Sequence, residues 1–121
     1  MTLRCLLVDD NAAFLDVAAA LLQREGVTVV GVASSTAQAI RQVRALQPDV
    51  VLIDIGLGDE SGFDLARLLV QDGHGAELIM ISARAETDHR ELIAESPASG
   101  FLAKSELSAR KIDRVLGRTS P

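Results

Sequence analysis

Leu3-Arg4-Cys5-Leu6-Leu7-Val8-Asp9-Asp10-Asn11 is an aliphatic run that stops on two adjacent carboxylates. It lacks clean polar alternation, which is the pattern of a strand buried on both faces. Val27 to Ala33, Val50-Val51-Leu52-Ile53 and Leu78-Ile79-Met80-Ile81 read the same way. Longer segments with helical spacing lie between them: Ala12 to Glu25, Thr36 to Leu46, and Gly62 to Leu69 with some extension. Strand and helix periods therefore alternate, which predicts an α/β domain with a mostly parallel sheet. Glu25-Gly26 should end the first helix, Ser34-Ser35-Thr36 should cap the second, and Gln47-Pro48-Asp49 should separate it from the third strand. Beyond Ile81 the pattern predicts a short fourth helix over Thr87 to Glu95 and a short fifth strand at Phe101-Leu102-Ala103. A last helix is expected over Leu107 to Leu116, with Leu107, Ile112, Val115 and Leu116 inward, before a frayed tail from Gly117 to Pro121.

With 121 residues, 48% of them hydrophobic, the chain suits one compact domain, 1–121, and is too short for two of ordinary size. A net charge of −5 offers no basic stripe for a phosphate backbone, which argues against direct nucleic-acid binding. The lone Cys5 lies inside an apolar run and reads as a small buried hydrophobe. No apolar stretch reaches membrane-spanning length, and no basic-then-apolar leader precedes Asp9. A soluble, cytoplasmic protein without membrane contact is expected.

In an open parallel sheet the ligand crevice lies beyond the carboxyl ends of the strands. Asp9 and Asp10 follow the first strand, Asp54 the third, Ser82 the fourth and Lys104 the fifth. Three carboxylates brought together raise one another's pKa unless a cation joins them. Mg²⁺, hard and oxygen-seeking, is the natural candidate, with Mn²⁺ as its substitute. The Lys104 ammonium and the Ser82 hydroxyl suit phosphoryl oxygens. Asp54 is the best-placed nucleophile for aspartyl-phosphate chemistry, since Ile55-Gly56-Leu57-Gly58 leaves its approach uncrowded.

These residues resemble the response-regulator receiver family of two-component signalling, from about Leu3 to Leu116. The likeness rests on Leu7-Val8-Asp9-Asp10-Asn11, Val51-Leu52-Ile53-Asp54, Ser61-Gly62, Ser82-Ala83 and Lys104 in that order. It implies a flavodoxin-like (βα)₅ fold, a three-layer doubly wound sheet of five parallel strands in the order 2-1-3-4-5. It implies phosphoryl transfer to Asp54 from a histidine kinase or histidine phosphotransfer protein, with the Gly56 carbonyl as a further metal ligand. Phe101 matches the family's aromatic switch, which turns inward when Ser82 moves toward the phosphoryl group. The face of the fourth helix, fifth strand and fifth helix would then bind a downstream effector or, on phosphorylation, a second copy of the chain. Gly56 and Arg84 occupy the positions that tune dephosphorylation. The chain departs from the pattern at Ser105, where a proline often follows the lysine, and at Gly58, another common proline position, which with Asp59-Glu60 predicts a looser loop.

Each residue also has a plainer reading. Asp9-Asp10 alone would be a solvated loop or helix cap, Ser82 ordinary turn chemistry and Lys104 a solvated lysine. Phe101 could be fixed core packing, His74 and His89 read as surface residues, and the apolar circumference of Ala12 to Leu22 is either covered by the sheet and last helix or docks the phosphodonor. Three functions compete with a free-standing switch: a receiver cut from a longer DNA-binding regulator, a phosphorylation-independent interaction domain, and an aspartate-nucleophile phosphatase of the haloacid dehalogenase type. The phosphatase needs a second acid two residues after the nucleophile, where this chain has Gly56.

Overall fold

The computed structural model describes residues 3–73, 75–83 and 90–117. Five strands, β1 (Arg4–Val8), β2 (Thr28–Ala33), β3 (Val50–Asp54), β6 (Glu77–Ser82) and β7 (Gly100–Ala103), form one parallel sheet in the order β2-β1-β3-β6-β7. Counting these five alone, that is the expected 2-1-3-4-5. The expected frayed tail lies beyond 117, outside the described residues.

Each strand distributes its side chains by the pleat. Cys5, Leu7, Val50, Leu52, Ile79 and Ile81 face one core, closed by Leu15, Ala18 and Leu22 of α1 (Ala12–Arg24) and Ile112 of α5 (Ala109–Val115). Leu6, Val8, Val51, Ile53, Leu78 and Met80 face the other. That second core is closed by Ala39 and Val43 of α2 (Thr36–Leu46) and by Phe63, Leu65, Ala66 and Leu69 of α3 (Gly62–Gln71). Burial holds the Cys5 thiol inert, its pKa pushed up to about 12.

β2 corrects the expectation of four doubly buried strands. It is an edge strand with Thr28 and Val32 exposed, because only β1 pairs with it. The last helix starts later than its apolar pattern suggested. Lys104–Glu106 form a 3₁₀ turn, Leu107 is buried ahead of the helix, and Ser108 caps α5 by accepting a hydrogen bond from the Lys111 N–H. Of the fourth helix, α4 (Arg90–Glu95) is described, while 87–89 lie outside the described residues. Along α1, Val17 is 68% exposed, so one part of its apolar circumference is not covered.

The segment after β3 forms a short hairpin. β4 (Gly56–Leu57) pairs antiparallel with β5 (Glu60–Ser61), and Gly58 makes the turn at φ +66. A proline, locked near −65°, could not adopt that conformation, so Gly58 marks a turn that the family's proline would not make. Among the described residues no peptide bond is cis, so Lys104–Ser105 is trans. No described helix is long and apolar enough to cross a membrane.

Candidate functional site

Strand register assembles the site. Val8 lies beside Ile53 and Asp54 beside Ile81, so Asp9, Asp54 and Ser82 leave three adjacent strands at nearly one level. Ser82 is also paired with Ala103, the residue before Lys104. Oxygens of Asp9, Asp10 and Asp54 come within 4.8 Å of one another. Asp9 is fully buried, Asp54 half-buried and Asp10 exposed, so the cluster opens to solvent on one side.

Lys104 reaches into this cluster from the 3₁₀ turn. Its Nζ lies 2.6 Å from Asp9 Oδ2 and 3.3 Å from Asp54 Oδ2. The shorter contact is an ion pair without hydrogen-bond direction, and only the longer one is aligned as a hydrogen bond. One ammonium thus serves two carboxylates. Burial and the neighbouring Asp9 charge push the Asp54 carboxyl up to about 6, against the opposing pull of Lys104 and the Gly56 backbone N–H. Burial alone would lower the Lys104 ammonium, but Asp9 and Asp54 outweigh it and hold it above its ordinary range.

This donor set fits a hard divalent cation. Asp9 Oδ2 is buried with no directed hydrogen bond, and its neighbours are carboxylate oxygens spaced within a few ångströms. Burial is the larger cause of the rise at Asp54, and the Asp9 charge that adds to it is what such an ion would neutralise.

Asn11, quoted in the motif for its position, has two structural tasks. Its backbone N–H donates to Asp9 Oδ1 at 2.9 Å, and its side chain caps α1 by accepting from the Phe14 N–H at 3.1 Å. Gly62 is required by contact: a Cβ there would lie 2.0 Å from the Asp54 carbonyl oxygen. Two other contributors, Glu60 and Phe14, carried little or no sequence signal, and Gly56 adds a contact that its sequence reading did not assign. Glu60 accepts a hydrogen bond from the Thr36 N–H at 2.9 Å, tying the β4–β5 hairpin to the start of α2. Phe14 lies with its ring centroid 4.4 Å from Lys104 Nζ. Gly56 contributes its N–H to Asp54. Phe101 is half-buried against the second core, Ser82 is buried, and Arg84 lies outside the described residues.

The family model described as the response regulator receiver domain matches residues 5–116. The chain belongs to this family. Among curated relatives, the DNA-binding response regulator MtrA of Mycobacterium tuberculosis strain H37Rv is 33% identical over 118 residues, covering 98% of this chain and 51% of MtrA. The transcriptional regulatory protein CreB of Escherichia coli K12 is 34% identical over 98 residues, covering 81% of this chain and 42% of CreB. This receiver domain spans about half the length of the curated relatives it matches. Among solved structures, a LuxR-family two-component response regulator from Aurantimonas sp. SI85-9A1 superposes with a TM-score of 0.82 at 25% identity, covering 100% of this chain and 90% of that one. A CheY-like receiver domain protein from Methanospirillum hungatei JF-1 shares the fold at a TM-score of 0.78 and 23% identity, covering 97% and 92%.

Proposed function

We propose that Asp54 is the phosphoacceptor, taking a phosphoryl group from a phosphohistidine on a histidine kinase or phosphotransfer protein. The observation that carries this reading is the convergence of Asp9, Asp10 and Asp54 at the carboxyl end of the sheet, with the Lys104 ammonium paired to Asp9 and Asp54. Asp9, Asp10, Asp54 and the Gly56 carbonyl would hold Mg²⁺, or Mn²⁺ in its place, and the ion supplies charge neutralisation between acceptor and donor. An Asp54 carboxylate oxygen attacks phosphorus, the P–N bond breaks, and the imidazole leaves. Lys104 pairs with a phosphoryl oxygen and Ser82 donates a hydrogen bond to another. Catalysis by the domain is confined to this transfer and to later autodephosphorylation, whose rate Gly56 and Arg84 would tune.

Phosphorylation adds about −1.5 to −2 charges at Asp54. Register supports a path outward, since Ser82 and Phe101 sit on paired strands that lead to the α4, β7 and α5 face. That face holds an open groove of about 560 Å³ lined by Ala83, Phe101, Ser105, Glu106, Lys111 and Arg114 among others. A downstream effector, or a second phosphorylated copy, would bind there, and the exposed Val17 on α1 would meet the phosphodonor. The setting is the cytoplasm, where such donors act. The named relatives are about twice as long and are DNA-binding or transcriptional regulators, which supports a second reading: this receiver controls a DNA-binding output region.

Incubation with acetyl phosphate and Mg²⁺, followed by intact-mass measurement, tests the first reading. Wild type should gain one phosphoryl group and Asp54→Asn none. Equal gain by both, or no gain by wild type at any Mg²⁺ concentration, would refute it.

A further inference from the structure

The carboxylates explain why an ammonium lies in the pocket but not what fixes it once a metal claims them. Asp9 and Asp54, the two charged partners of Lys104, belong to the proposed cation's donor set. A hard divalent ion competes directly with Lys104 for their oxygens. Among the described residues, the remaining partner of Lys104 is the face of Phe14, 4.4 Å from Nζ to ring centroid and well within cation–π range. An aromatic face is a poor ligand for a hydrated Mg²⁺, so a metal ion would not compete for this contact. Only 17% of the Lys104 side chain is exposed, and such attraction strengthens as water is excluded.

The ring is itself held in place. Asn11 caps the first turn of α1 through the Phe14 N–H while its own N–H binds Asp9. Phe14 packs at the edge of the core closed by α1 and α5. The acidic loop and the Phe14 backbone are therefore tied to each other by one residue, and Lys104 enters from the 3₁₀ turn that follows β7.

We propose that Phe14 is a positioning residue that seats the Lys104 ammonium at the rim of the acidic pocket, so that it meets a phosphoryl oxygen after the cation has taken Asp9 and Asp54. This deepens the phosphoacceptor reading and rests on it. Packing alone would be served equally well by a leucine at position 14. Seating requires an aromatic face.

The test compares wild type, Phe14→Leu and Phe14→Tyr by two measurements. The first is the chemical shift of the Lys104 ε-methylene protons at saturating Mg²⁺, which an overlying ring moves upfield. The second is the initial rate of phosphoryl uptake from acetyl phosphate, followed by intact mass. The shift should be upfield in wild type and Phe14→Tyr and lost in Phe14→Leu. The rate should fall about three- to tenfold in Phe14→Leu and stay within about twofold in Phe14→Tyr. Unshifted ε-methylene protons in Mg²⁺-loaded wild type would overturn the proposal, and so would a Phe14→Leu rate equal to wild type. The wild-type shift needs no variant, so it decides the matter even where leucine costs the fold. A wild type that takes up no phosphoryl group overturns the phosphoacceptor reading and this seat together, whereas equal rates overturn the seat alone.

Discussion

Asp54 is a residue under electrostatic load. Its carboxyl is pushed up to about 6 from an unfolded value near 3.8, mostly by burial and the Asp9 charge. Between these values the folded metal-free chain binds more protons than the unfolded one, so this group's contribution to stability is full below about pH 4 and is lost as pH rises through 6. Asp54→Asn removes that slope. In EDTA-treated protein the variant should match wild type near pH 4 and exceed it at pH 7.5 by on the order of 1 kcal/mol, after allowance for partial solvent screening. Urea unfolding across this range checks it, and a constant difference at every pH would contradict the assignment. Gly62 shows a different residue-scale constraint: the Asp54 backbone passes so close that any side chain there must displace it.

At the scale of elements, the hairpin β4–β5 shapes the segment that follows Asp54. It departs from Asp54, pairs with itself, turns at Gly58 and is tied to α2 through Glu60. A carboxylate at a helix start satisfies a backbone N–H that has no partner within the helix and complements the helix dipole. Replacing it by Glu60→Ala should cost about 0.5–1 kcal/mol, the lower part of the range for caps because the residue is exposed. Hydrogen exchange should quicken at Thr36 and along 56–61 in this variant. Unchanged exchange at Thr36 would show that the contact holds nothing. The capped starts of α1 at Asn11, α2 at Ser35 and α5 at Ser108 follow the usual side-chain-to-backbone pattern. The Glu60 clamp does not, since its partner is 24 residues away and no local signal announces it.

For the molecule as a whole, two cores on opposite faces of one sheet hold the strand ends level, and the site exists only where those ends meet. Binding of Mg²⁺ should therefore stabilise the entire fold by linkage, by about 1.4 kcal/mol at ten times its dissociation constant. The unfolding midpoint of wild type should rise with Mg²⁺ at constant ionic strength, and that of Asp54→Asn should rise much less. Identical rises would place the ion elsewhere. The sequence alone determined the alternation of strands and helices, the strand-end carboxylates, Ser82 and Lys104, because apolar periodicity and chain polarity are local properties that survive without coordinates. Tertiary structure alone decided that β2 is an edge, that the Gly58 loop pairs with itself, and that Lys104 lies nearer Asp9 than Asp54 with Phe14 across it. Each of these depends on residues far apart in the chain whose distances are set by packing, and spacing along the chain carries no record of such distances.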